Sequence, residues 1–140
     1  MPRSDTADAP TDSSTYREYI LGVRVVEQPT ADGETRYRFE APDHEGIAFE
    51  DPEMATLYAD VYFDVNGFQE AGTGERGVPP TIIQAGRDTL VAYLLTQPDI
   101  DHYWLASFYG VKREKVTRYV SRVRKRAEGI REGAKEQGLA

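Results

Sequence analysis

The lysines and arginines of this chain are concentrated near its C-terminus. Residues 112–126 contain eight of them and a single acid, Glu114, whereas residues 1–100 contain seven arginines, no lysine and 19 aspartates and glutamates. The two segments carry net charges of +7 and −12, in a chain whose overall charge is −7. A solvated helix face usually mixes charges of both signs, so this segregation predicts that the basic segment meets a polyanionic partner.

The basic segment follows two apolar clusters that are joined at a glycine. In Trp104–Val120, WLASFYGVKREKVTRYV, the small residue Ala106 is followed four residues later by Gly110, which permits the positive φ of a tight turn. The apolar residues that flank this turn are Leu105, Tyr109, Val111, Val116 and Tyr119. Over residues 81–126 the arrangement resembles the helix-turn-helix superfamily of DNA-binding proteins. The resemblance implies that the helix after Gly110 docks in the major groove of double-stranded DNA.

The resemblance also assigns roles to the side chains of that helix. The base-reading positions of such a recognition helix would be Arg113, Glu114, Thr117, Arg118 and Ser121. Their chemistry suits this role, because arginine donates two hydrogen bonds to guanine, glutamate accepts from cytosine, and threonine offers a hydroxyl and a methyl group. The cations better placed for phosphates, which position a protein without specifying sequence, are Lys112, Lys115, Arg122, Lys125 and Arg126.

Other residues that could do chemistry favour structural roles. His44 could ligate a metal with its acidic neighbours, but adjacent side chains cannot all point inward, so an exposed turn histidine is the favoured interpretation. His102 is expected to pack in the first turn of a short helix, and Trp104 and Phe108 are expected in the core. The chain has no cysteine, no nucleophile-elbow pattern and no helical histidine pair, and GTGERG lacks the Lys-Ser/Thr of a phosphate loop. We therefore expect no enzyme activity, no metal and no cofactor.

The N-terminal half predicts a small antiparallel sheet. Period-two alternation in residues 16–27, YREYILGVRVVE, and again in TRYRFEA predicts two strands joined by a hairpin at Asp32-Gly33. The first strand is expected to place on one face Tyr19, Leu21, Val23 and Val25. A third strand is expected at GIAFE, which gives a three-stranded antiparallel meander. A helix is then expected to start at Asp51-Pro52-Glu53 and to stop at Gly67. Residues 16–68 would therefore form a β-β-β-α region. A flexible leader over residues 1–15 and a loop over residues 69–80 are expected on either side.

Three helices are expected in the C-terminal half: Thr81–Thr96, a short helix capped by Asp99 or Asp101, and a third from about Lys112 toward Arg131. The first is expected to bury Ile82, Ile83, Leu90, Val91, Leu94 and Leu95. Residues 81–127 would form the helix-turn-helix region and residues 128–140 an extension. A heptad stripe follows the third helix through Val116, Val120, Val123, Ala127, Ile130 and Ala134. Its second half could pair with a second subunit, giving a homodimer suited to a two-fold DNA site, or fold back on the body of the domain.

Together these features predict an α+β, sequence-specific DNA-binding protein of the cytoplasm, acting in transcription regulation. No membrane segment and no signal peptide are expected, because the longest apolar runs are too short and the N-terminus is polar. The acidic, lysine-poor composition resembles that of proteins from extreme halophiles. At 1 M salt, where the Debye length is about 3 Å, direct hydrogen bonds and packing would carry more of the binding. Two alternatives stay open: a protein-interaction adaptor whose basic helix meets an acidic protein surface, and a regulator whose β-rich half senses a small ligand.

Overall fold

The computed structural model describes residues 13–70 and 78–139. Within them a four-stranded antiparallel sheet is followed by five helices, so the fold is α+β as predicted. The strands are β1 (Ser14–Glu18), β2 (Arg24–Pro29), β3 (Thr35–Glu40) and β4 (Ile47–Phe49). The helices are α1 (Pro52–Asp64), α2 (Pro80–Ala85), α3 (Arg87–Leu95), α4 (His102–Tyr109) and α5 (Arg113–Glu136).

The sheet is a meander of four strands in the order β1-β2-β3-β4, not the three that were predicted. Residues 16–27, predicted as one strand, are divided by a turn at Leu21 and Gly22, whose φ angles are +66° and +76°. Two successive positive φ angles reverse the chain, and Leu-Gly is not among the dipeptides that usually mark such a turn. Leu21, predicted on the core face, is therefore exposed. The hairpin at Asp32-Gly33 joins β2 to β3 as predicted.

Helix α1 covers one face of the sheet. It begins where predicted, because the carboxylate of Asp51 accepts a hydrogen bond from the N–H of Glu53 at 2.9 Å. It ends at Asp64, slightly before the predicted stop, and Asn66 and Gly67 then adopt positive φ angles. The core between α1 and the sheet is rich in aromatic and branched side chains, including Val25, Phe39, Leu57, Tyr58 and Val61.

The predicted helix Thr81–Thr96 is interrupted at Gly86, so that two helices replace one. Gly86 has φ 118° and ψ 168°, a backbone conformation that is open essentially only to glycine and that cannot continue a helix. Ile82 of α2 is fully buried as predicted, but Ile83 is 54% exposed and does not join the core. The interruption leaves α3 to pack against α1 and α5.

Helix α5 packs along α1, α3 and α4 and ends at Glu136, five residues beyond the predicted end. Its apolar stripe lies against the core: Val116, Val123 and Ala127 are fully buried, and Ile130 is partly buried there. The second half of the stripe therefore folds back on the body of the same chain, which was one of the two alternatives for it. This packing removes the stripe as a basis for a dimer.

Two predicted segments lie largely outside the described residues. The leader was expected to end at residue 15, but Ser14 and Thr15 already belong to β1, and residues 1–12 lie outside the described ranges. Of the loop over residues 69–80, residues 71–77 lie outside them, and Pro80 begins α2. None of the helices in the described residues is long and apolar enough to cross a membrane.

Candidate nucleic-acid interface

The turn between α4 and α5 is closed by two backbone hydrogen bonds around Gly110. The N–H of Gly110 donates to the carbonyl of Ser107 at 3.2 Å, and the N–H of Val111 donates to the carbonyl of Ala106 at 2.9 Å. With φ 66° and ψ 38° at Gly110, this is the Schellman arrangement that ends a helix at a left-handed glycine. The chain is thus broken at Gly110, as predicted, and α5 begins three residues later.

Helix α5 presents opposite faces to the core and to solvent. At about 100° per residue, its buried residues Val116, Tyr119 and Val123 lie on one side, and Arg118 and Lys125 lie nearly opposite. Of the ten residues predicted to contact DNA, nine are exposed without an ion-pair partner among the described residues: Lys112, Arg113, Glu114, Lys115, Thr117, Arg118, Ser121, Arg122 and Lys125. The packing of α5 therefore turns these nine side chains toward solvent together.

Arg126, predicted to contact phosphates, instead joins α5 to α1 and α3. Its Nε and Nη2 donate to the two carboxylate oxygens of Asp64 at 2.7 and 2.9 Å, and its Nη1 donates to Asp88 at 2.7 Å. Thr89 also donates its hydroxyl to Asp64 at 2.6 Å. The hydrogen bond from Arg126 holds the pKa of Asp88 below its usual range, and the two carboxylates raise the pKa of Arg126. With its guanidinium engaged on the core side, Arg126 is not placed to bind a phosphate.

Two further arginines of α5 share one buried carboxylate of α1. Arg124 and Arg131 each donate to a different oxygen of Asp60 at 2.7 Å, and Asp60 is 5% exposed. The guanidinium carbon of Arg131 also lies over the rings of Tyr19 and Phe63, at 4.9 and 5.1 Å from their centroids. These contacts fasten the C-terminal half of α5 to the body of the protein.

The sequence contained a signal for these ion pairs that its charge count did not reveal. Asp60 and Asp64 are one helical turn apart in α1, among residues that are otherwise apolar, and a carboxylate on the buried side of a helix needs a cationic partner. Such a pair predicts arginines elsewhere in the chain. Which arginines reach it depends on how α5 crosses α1, and the local sequence does not specify that crossing.

Apart from Lys135 near the end of α5, six exposed cations remain over residues 112–125, and they carry the candidate site. Within the described residues none of them forms an ion pair. They are Lys112, Arg113, Lys115, Arg118, Arg122 and Lys125. With Glu114 they give this surface, which we call the α5 basic face, a net charge of +5. The N-terminal end of the helix dipole lies within the same face and adds to its attraction for anions.

Trp104 and Phe108 of α4 are on the surface, contrary to prediction, and so is their neighbour Tyr103. Tyr103, Trp104 and Phe108 are 65%, 44% and 64% exposed, and the rings of Trp104 and Phe108 stack at 5.0 Å with an interplanar angle of 9°. The short helix buries only Leu105 and Ala106, because an eight-residue helix presents few positions to the core. Tyr103 places its ring under the guanidinium of Arg113, at 4.3 Å, where α4 meets the start of α5. Among the described residues, Arg113 is thus the one cation of the basic face that lies over an aromatic ring of α4.

His44 is half-buried in a hydrogen-bonded chain and is not the exposed turn residue that was predicted. Its Nδ1 accepts from the N–H of Gly46 at 2.8 Å, so the neutral ring carries its proton on Nε2, which lies 3.0 Å from the Tyr58 hydroxyl. Tyr58 in turn donates to Glu70 at 2.5 Å, and Tyr93 donates to the same carboxylate. Burial lowers the pKa of His44 and raises the pKa values of both tyrosines. The chain satisfies polar groups inside an aromatic core.

Comparison with known proteins gives no match to a family model, to a curated protein or to a solved structure. Within the described residues no group of three or more histidines, aspartates and glutamates is placed to hold a metal ion. The geometry and charge of the α5 basic face are therefore the basis for a functional proposal.

Proposed function

We propose that this chain is a sequence-specific double-stranded DNA-binding protein that regulates transcription, with the α5 basic face docked in the major groove. The observation that carries the proposal is the cluster of six exposed cations over residues 112–125, which have no ion-pair partner in the part of the chain that the structure describes, in an otherwise acidic chain. An α-helix fits the width of the major groove of B-DNA, and cations along it meet the phosphates on both sides. In this proposal α3, α4 and α5 act as a helix-turn-helix unit.

The roles of the side chains follow from their place on the helix. Arg118 and Ser121, opposite the buried stripe, would face the base edges together with Glu114, Thr117 and Arg113 on the adjoining positions. The cations assigned to the phosphates are Lys112, Lys115, Arg122 and Lys125. The acidic body would lie away from the DNA, since phosphates repel its carboxylates.

Internal pairing sets the length of the proposed contact. Arg124, Arg126 and Arg131 are neutralised by carboxylates of α1 and α3. The cluster of cations available to a partner therefore ends at Lys125, and the next exposed cation of α5, Lys135, lies ten residues further along. Arg113–Lys125 spans about 18 Å of helix at 1.5 Å per residue, a length suited to one major-groove crossing. A single copy of the chain would therefore read one half-site.

The proposal is tested by titrating the full chain against duplex DNA of random sequence at several salt concentrations, followed by selection of bound sequences. Four phosphate-binding cations predict that log K falls with log salt with a slope of about −4. Arg118→Ala should flatten the sequence preference, whereas Lys125→Ala should weaken binding to all sequences and reduce the slope by about 1. Lys135→Ala, which removes an exposed lysine of the same helix beyond the basic face, is the matched control and should bind as the parent does.

Two results would refute the proposal. One is the absence of duplex binding even at low salt, which would favour the adaptor alternative, in which the basic face meets an acidic protein. The other is equal loss of binding in Lys135→Ala and Lys125→Ala, because diffuse attraction to the whole helix would then explain the data without groove docking.

A further inference from the structure

Arg87, the first residue of α3, is an exposed cation outside the basic helix. Within the described residues it forms no ion pair. Its position is electrostatically unfavourable, because the N-terminal end of a helix dipole is positive and repels a cation. The acid next to it, Asp88, accepts a hydrogen bond from Arg126 instead. The charge of Arg87 therefore stabilises neither its own helix nor a carboxylate of the described residues, and it is available to a partner.

One side of α5 faces the start of α3. At about 100° per residue, four side chains of α5 fall within about 60° of one another around the helix: Lys115, Tyr119, Arg122 and Arg126. Arg126 reaches α3 through its hydrogen bond to Asp88 at 2.7 Å. Lys115 and Arg122 therefore project on the side of α5 on which the start of α3 lies.

Two tyrosines lie beneath the cations on this side. The guanidinium carbon of Arg87 is 5.1 Å from the centroid of the Tyr109 ring. Lys115 Nζ and Arg122 Cζ are 5.8 and 5.9 Å from the centroid of the Tyr119 ring. Burial raises the pKa of the Tyr109 hydroxyl, Arg87 opposes this shift and Tyr119 adds to it, so both residues lie close to Tyr109. We call Arg87, Lys115 and Arg122, which together carry a charge of +3, the α3 flank.

We propose that Arg87 contacts the DNA backbone together with Lys115 and Arg122, so that the α3 flank binds the phosphates of one strand at the edge of the groove that α5 occupies. The proposal rests on the proposed function and extends the contact from one helix to two. A phosphate strand borders the major groove on each side, and cations on one side of a helix in the groove meet one of these strands. A guanidinium stacks its planar face on a ring and keeps N–H groups at its edge free to donate to a phosphate. Asp88, the acid beside Arg87, is neutralised by Arg126 and so repels the strand less.

The test compares Arg87→Ala with the parent chain in titrations against duplex DNA at several salt concentrations. Five phosphate contacts predict a slope of log K against log salt of about −4.5 for the parent, and four predict about −3.6 for Arg87→Ala. At about 0.1 M salt the variant should bind roughly eightfold more weakly, and this difference should vanish as the salt approaches about 1 M. The sequence preference should stay unchanged, because phosphate contacts position a protein without specifying sequence. Arg87→Lys keeps the charge and should keep the slope of the parent.

Arg17→Ala is the matched control. Arg17 is also an exposed arginine over a tyrosine ring, 4.7 Å from the centroid of Tyr19, and it forms no ion pair among the described residues. It belongs to β1 and not to the α3 flank, so its loss removes the same charge and should leave the slope unchanged. Urea unfolding checks that each variant folds. Arg87→Gln, which keeps most of the length of the side chain, repeats the test if Arg87→Ala lowers the unfolding midpoint.

The outcomes separate this contact from the proposed function. A parent that binds duplex DNA with the same slope as Arg87→Ala would overturn the contact and leave the proposed function in place. Equal losses in Arg87→Ala and Arg17→Ala would also overturn it, because the net charge of the chain would then explain both. An equal loss in Arg87→Lys would do the same, since the effect would follow the packing of the guanidinium on Tyr109 and not its charge. A parent that binds no duplex even at low salt would refute the proposed function and this contact together.

Discussion

Replacing Arg126 with alanine should destabilise the protein, because it leaves a buried carboxylate without its cation. Arg126 makes two hydrogen bonds to Asp64, whose side chain is 4% exposed, and one to Asp88. Removing one partner of a buried ion pair typically costs about 3–5 kcal/mol. The cost here should be lower, about 2–3 kcal/mol, because the Arg126 side chain is 44% exposed and Thr89 still donates to Asp64 after the change.

Urea unfolding followed by circular dichroism measures this loss. With an m-value of about 2 kcal/mol/M, the midpoint should fall by about 1–1.5 M while m itself stays constant. Lys125→Ala, the exposed and unpaired neighbour in the sequence, is the matched control and should change the free energy of unfolding by no more than about 0.5 kcal/mol. A double variant with Asp64→Asn tests the mechanism, because removing both charges should cost at least about 1 kcal/mol less than the sum of the single changes. An Arg126→Ala midpoint that matches the control, or strict additivity in the double variant, would refute the interpretation of Arg126 as a structural residue.

Three further predictions concern single residues. Burial lowers the pKa of His44 below its unfolded value of 6.5, so the unfolded chain binds the proton more readily than the folded chain does. The free energy of unfolding should therefore fall as the pH drops through 6.5. His44→Gln should lessen this dependence, as measured by urea titrations at about pH 7.5 and about pH 5.5. Gly110→Ala should lower the free energy of unfolding by about 1 kcal/mol, because φ is +66° there, although an added Cβ meets no atom within 4 Å. The same change at Gly129, within α5, should raise the free energy of unfolding by about 0.5–1 kcal/mol. Equal effects of the two changes in thermal melts would contradict the assigned turn. If the proposed function holds, Tyr103→Ala should reduce discrimination at the base that we propose Arg113 reads, whereas Tyr103→Phe should preserve it, because phenylalanine keeps the ring beneath the guanidinium. Competition with DNA variants measures this discrimination.

The features that sequence analysis predicted correctly depend on neighbouring residues. The cap at Asp51, the hairpin at Asp32-Gly33 and the end of α4 at Gly110 each arise from a few residues whose backbone preferences agree. The turn at Leu21-Gly22 was missed because leucine rarely adopts positive φ and alternation continued across it. The interruption at Gly86 was missed because a single glycine is compatible with a helix.

The features that it missed at the candidate site depend on contacts between distant segments. Whether Trp104 and Phe108 enter the core depends on how much of α4 the neighbouring helices cover, and α4 is too short to bury more than one face. Arg126 likewise lies next to Lys125 in the sequence. Arg126 is a structural residue because it reaches Asp64, which lies 62 residues earlier in the chain, whereas Lys125 points to solvent. A charge count treats the two alike, so the +7 of residues 112–126 overstates by two the charge left for a partner.

The cations of α5 that pair with buried carboxylates are all arginines, whereas the outward group contains both arginines and lysines. All four lysines of the chain are exposed and none forms an ion pair within the described residues, whereas the three α5 cations that reach buried carboxylates are arginines. A guanidinium is planar, offers several donors in fixed directions and stays charged when partly buried, so Arg126 can serve Asp64 and Asp88 at once. An ammonium is strongly hydrated and offers no such fork, which leaves lysine suited to solvent and phosphates. The buried carboxylates of α1 thus form ion pairs with three arginines of α5. The exposed cations of α5 that do not pair with a carboxylate form the surface available to a partner.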